Sequence, residues 1–137
     1  MVFTPSSKED LRQAIIAWLI CRFKTFKRLG HISTWNVSNI TDMSNLFKNA
    51  ENFNEDLSKW DVSNVTDMSN MFCEARNFNQ NLSSWDVSNV TLMPYIFYKA
   101  KNFNGNISMW NVSNVTHMTG MFCHATSFNQ NLFSWNV

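Results

Sequence analysis

Trp35, Trp60, Trp85, Trp110 and Trp135 recur at a strict interval of 25 residues, and this spacing limits the possible folds more than any other feature. Val37, Val62, Val87, Val112 and Val137 follow each tryptophan two residues later. Phe47, Phe72, Phe97 and Phe122 keep the same step, as do Phe53, Phe78, Phe103 and Phe128. A fixed period of this size marks an array whose units cannot bury their own apolar faces and must stack on one another. Residues 32–137 accordingly divide into four 25-residue repeats and the start of a fifth.

There is ample material for a core. The 137 residues are 45% hydrophobic, with twelve Phe and six Trp against three Gly and two Pro, which argues against disorder. The net charge of +1 predicts no strong attraction to nucleic acid or membrane, but it conceals a division. Residues 1–31 hold six basic and two acidic side chains, whereas the remainder holds five basic and eight acidic. Cys21, Cys73 and Cys123 are odd in number and lack a CxxC spacing. They fit neither a disulfide framework nor a common zinc site and are expected as free thiols.

Residues 6–29 read as one helix. Ser6 and Ser7 offer a hydroxyl cap, and Glu9 and Asp10 suit the positive end of the helix dipole. Leu11, Ala14, Ile15, Trp18, Leu19, Phe23 and Phe26 recur at helical spacing, and Gly30 follows where a helix terminates. The apolar run 14–21 is far too short to span a bilayer and has no basic leader. Residues 1–31 are therefore expected to be an N-terminal capping helix over the first repeat. Arg22, Lys24, Lys27 and Arg28 read as its solvated end rather than a site for phosphate or acidic partners.

Within a repeat the apolar period changes. Trp85 and Val87 alternate with Ser84, Asp86 and Ser88, as in a short half-buried strand. Met68, Met71, Phe72, Ala75 and Phe78 then lie three and four apart, as in a helix, with Thr66 and its copies Thr41, Thr91 and Thr116 as N-caps. Pro94 falls within the first turn of such a helix. The expected fold is thus an α/β repeat solenoid, leucine-rich-repeat-like, with short parallel strands, short helices and the capping α-helix. Trp35, Trp60, Trp85, Trp110 and Trp135 would form a structural ladder inside it.

The motif Trp-Asp-Val-Ser-Asn-Val-Thr-Asp-Met-Ser-Asn-Met-Phe at residues 60–72, followed by Ala75, Phe78-Asn79-Gln80 and Leu82-Ser83, resembles the repeat of BspA-like leucine-rich-repeat surface proteins. The same repeat is known in mycoplasma lipoproteins of unknown function. The resemblance covers residues 31–137. It implies a cell-surface or secreted protein with an adhesive or partner-binding role and no established enzymatic activity. Two departures stand out: no export signal is visible, and the sequence stops partway through a fifth unit without a C-terminal cap.

No pattern of residues indicates catalysis, a cofactor or a metal. His31, His117 and His124 are the three histidines, and Cys123 and His124 are adjacent, so their side chains diverge on a helix. There is no GxGxxG, P-loop or HExxH. Eight Asn-x-Ser/Thr triplets arise mostly from the repeated Val-Ser-Asn-Val-Thr and read as turn ladders rather than glycosylation sites. The candidate binding face is the outward row of the strands: Thr34 and Asn36, Lys59 and Asp61, Ser84 and Asp86, Met109 and Asn111. Lys59, Ser84 and Met109, which vary between repeats, are the better candidates for specificity. The leading expectation is a non-enzymatic module for protein or glycan recognition or adhesion. The rival is an intracellular scaffold that self-associates end to end through Leu132, Phe133, Trp135 and Val137.

Overall fold

The computed structural model describes residues 1–137. Its regular elements are two helices, α1 (Lys8–Ile20) and α2 (Arg22–Leu29), and one 3₁₀ turn, Ile32–Thr34. No strand and no sheet forms, and pairing between units is confined to three isolated parallel bridges, Asp42 with Asp67, Asp67 with Leu92 and Leu92 with His117. The expected α/β, leucine-rich-repeat-like solenoid is therefore incorrect. Irregular backbone replaces both its strands and its repeat helices.

The physical reason lies in where the backbone N–H groups point. In the first unit Met43, Asn45, Phe47 and Asn49 donate to the carbonyls of Asp67, Ser69, Met71 and Cys73 in the next unit, at 2.8–2.9 Å. Between them Lys48 and Ala50 donate to the carbonyls three residues back. The later units repeat this alternation, as in Met68 to Leu92 and Met93 to His117. An α-helix would need every one of these donors for its own i−4 carbonyls. Left-handed residues at Asn45, Asn49, Asn70, Glu74, Tyr95, Lys99, Gly120 and His124 break the helical path twice per unit. Each stands third in a four-residue turn, the position a type II turn gives to positive φ. Pro94 occupies the second position of such a turn, where its fixed φ is welcome. Thr66, Thr91 and Thr116 do not cap helices either. Their hydroxyls donate to the carbonyl of the threonine one unit earlier.

The strand segments fail for a related reason. Ser38, Ser63, Ser88 and Ser113 give their N–H groups to the side chain two residues before, so those donors cannot join a ladder. What holds the units together instead is a continuous core of 35 buried apolar residues, from Leu11 in α1 to Met121 in the fourth unit. The rings stack along it: Phe47, Phe72, Phe97 and Phe122 are 5.4–5.9 Å apart and nearly parallel.

The N-terminal segment is not one helix. The chain breaks at Cys21 (φ −146°), which ends α1 and begins α2. Ser7 caps α1, accepting from the Asp10 amide at 3.1 Å. Leu11, Ala14, Ile15 and Trp18 are buried against the first unit. At and beyond the break the periodicity misleads: Leu19 at the end of α1 and Phe23 and Phe26 in α2 are exposed, and α2 buries Thr25 alone. Residues before α1 complete the junction, with the carbonyls of Phe3 and Pro5 accepting from the Asn36 amide and the Asn39 side chain. Cys21, Cys73 and Cys123 are free thiols, and burial pushes that of Cys73 up.

Candidate recognition face

The eight outward residues fall into two columns with different duties. Asn36, Asp61, Asp86 and Asn111 each accept two hydrogen bonds from the serine two residues on. The hydroxyl bonds are 2.6 Å to Asp61 and Asp86 and 2.7–2.8 Å to Asn36 and Asn111, the shortening expected of an ionised acceptor. The hydroxyls and then the amides of Ser63 and Ser88 hold the carboxyls of Asp61 and Asp86 below the usual range. In Asp61 this prevails over slight burial and the like charge of Asp86 one unit away. These four side chains are exposed, yet one oxygen of each is already engaged in its own turn.

The other column is looser. Thr34, at the end of the 3₁₀ turn, donates its hydroxyl to the His31 carbonyl at 2.7 Å. Ser84 donates to the Ser58 carbonyl at 2.6 Å. Lys59 is exposed and acts on Asp56 only as a minor influence beside the amide and hydroxyl of Ser58, which set that carboxyl low. Met109 is 77% exposed. The expected row of strands is absent, so these residues are presented by stacked turns, one per unit.

Behind them lie the tryptophans. Trp35, Trp60, Trp85 and Trp110 are at most 3% exposed, and Trp135 is half-buried. Trp85 and Trp110 stack at 6.4 Å and 1°, and Trp110 and Trp135 at 6.4 Å and 6°. Each indole from Trp60 onward donates to a carbonyl 28 residues back, on Ile32, Leu57, Leu82 or Ile107, at 2.9–3.1 Å. Trp35 instead meets the Gly30 carbonyl, Phe3 and Trp18. Sequence spacing aligns the rings but gives no sign of these bonds, since the acceptors are main-chain groups of a neighbouring unit.

Two further features escape a reading of the sequence. One is a polar junction where Glu55 pairs with Arg22 of α2 and lies 3.4 Å from His31. A recess of about 350 Å³ opens beside it, between α1 and residues 49–55. The other is the outer face of the last unit, where Met118, Met121, Phe122, Leu132, Trp135 and Val137 line an apolar cavity of about 450 Å³. No group of three or more His, Cys, Asp or Glu side chains is arranged to hold a metal ion. No helix is long and apolar enough to cross a membrane.

Comparison with curated proteins and with solved structures finds no match. A family model does match, over residues 16–135, from the middle of α1 to the last tryptophan. By that match the chain belongs to the family described as Mycoplasma protein of unknown function, DUF285.

Proposed function

We propose that the chain is a non-enzymatic recognition module of a BspA-like surface protein, binding a protein or glycan partner through the outward column of its repeats. One contrast carries this reading. Asn36, Asp61, Asp86 and Asn111 are tied into their own turns, while Lys59 and Met109, two residues before Asp61 and Asn111, stand free. Unlike side chains held at one register position on a repeated frame suit recognition by stacked-repeat proteins. The adhesive role and surface location rest on the likeness of residues 60–72 to the BspA-like repeat. Fractionation and protease shaving of intact source cells test the location. Screening of host proteins and glycans then identifies a partner, and the Lys59→Ala/Met109→Ala variant is expected to bind it about tenfold more weakly at an unchanged melting temperature. Unaltered binding would discard this face.

A further inference from the structure

Helix α2 buries a single residue and leaves an apolar edge in solvent. Phe23 is 66% exposed and Phe26 50%, and Leu19 and Ile20, just before the break, are exposed as well. The same eight-residue helix carries Arg22, Lys24, Lys27 and Arg28 and no acid. Arg22 is committed to Glu55, whereas Lys24, Lys27 and Arg28 make no ion pair within 4 Å. The Lys27 ammonium lies 4.6 Å over the Phe23 ring, a cation–π contact on the same exposed helix. The recess beside the two rings is lined otherwise by Trp18, Arg22, His31 and Glu55, with Arg22 and His31 both set against Glu55. What α2 offers a partner is therefore its outward edge: two aromatic rings flanked by three free cations.

We propose that α2 docks the capped end of the molecule onto an anionic phospholipid surface. Phe23 and Phe26 enter the boundary between headgroups and acyl chains, and Lys24, Lys27 and Arg28 meet lipid phosphates. Aromatic rings on one side and Lys/Arg on the other are the composition of helices that lie in a bilayer interface. Size favours lipid over protein. A helix of eight residues is about 12 Å long, so the exposed edge of α2 alone presents far less area than the ~800 Å² per partner that a standard protein interface buries. A bilayer accepts so small a footprint because each cation near an anionic leaflet adds its own attraction. The charge division gives an orientation, since six basic residues against two acidic ones mark the cap, and five against eight mark the repeats. A negative surface draws the cap and repels the stack, so the repeats project away from it.

The test is co-sedimentation of the full chain with vesicles of phosphatidylglycerol and phosphatidylcholine, beside vesicles of phosphatidylcholine alone. Binding is expected to the first and not the second, weakening several-fold as salt rises. Phe23→Ser/Phe26→Ser and, separately, Lys24→Gln/Lys27→Gln/Arg28→Gln are each expected to lower the bound fraction at least about tenfold. All five side chains are exposed, so both variants should keep the parent melting curve. Binding that survives both substitutions overturns the proposal. So does a chain that ignores both vesicles but binds polyglutamate, which would make an acidic protein the occupant.

Discussion

Trp85 is held by more than its volume. Its ring stacks on Trp110, and its indole N–H donates to the buried Leu57 carbonyl at 2.9 Å. Trp85→Phe keeps an aromatic ring and removes one of two bonds to that carbonyl, which still accepts from the Trp60 amide at 3.0 Å, so it is expected to cost about 1 kcal/mol in urea denaturation. Trp85→Ala also opens a cavity and should cost about 3–5 kcal/mol or more. Equal stability of wild type and Trp85→Phe would show that the indole bond contributes nothing. The 25-residue spacing makes the column of rings legible, but not the bond, whose acceptor depends on the path of another unit. The left-handed positions are half-legible in the same way. Asn45, Asn49 and Asn70 tolerate positive φ and hint at turns four residues apart. Glu74, Tyr95, Lys99 and His124 occupy equivalent places and conceal the hint. Gly120 has a further reason for being small, since a Cβ there would lie 2.5 Å from the Tyr95 ring.

At the scale of the element, three-and-four apolar spacing does not distinguish a helix from a chain of consecutive turns. Met68, Met71, Phe72, Ala75 and Phe78 are all buried, as a helix face would be, yet the backbone between them bonds outward to the next unit. The deciding information is partly in polar pairs. In the first two units Ser44 and Ser69 donate their amides to Asp42 and Asp67 at 2.8 Å. The third unit has Leu92 where that acceptor would be and Pro94 where that donor would be, so both partners vanish together. Asp67→Leu alone strands the Ser69 amide and is expected to cost about 1 kcal/mol, whereas Asp67→Leu/Ser69→Pro rebuilds the third unit's pair and should recover most of it. A double-mutant cycle with no coupling would refute the pairing. The helix that ends at Ile20 shows the opposite failure. Its apolar spacing continues through Phe23 and Phe26, but the break at Cys21 turns those rings outward.

For the molecule as a whole, charge and hydrogen bonding both have direction. Asp56, Asp61 and Asp86 all lie below the usual carboxyl range, through the amide and hydroxyl of Ser58 and the hydroxyls of Ser63 and Ser88. Asp42 joins them. Partial burial pushes it up, but the Lys8 ammonium and the Ser44 amide and hydroxyl prevail. A carboxyl lowered by folding adds stability that is complete above its unfolded value of about 4 and is lost as pH falls through the folded one. The melting temperature is therefore expected to fall below about pH 4. Asp61→Asn/Asp86→Asn, which copies Asn36 and Asn111 and keeps an acceptor for each serine, should make that fall shallower. An identical acid limb would place the loss elsewhere.

Bonds between neighbouring units join residues 24, 25, 26 or 28 apart, as in Met43 to Asp67, Thr66 to Thr41, Asn64 to Ser38 and Trp85 to Leu57. Removing one residue from a unit would put every bonded pair that spans the deletion one residue out of phase. Removing a whole unit would hand each donor an equivalent acceptor and leave the wiring intact. Changes of length in such a chain are quantised: it can grow or shrink by a full period far more easily than by a single amino acid.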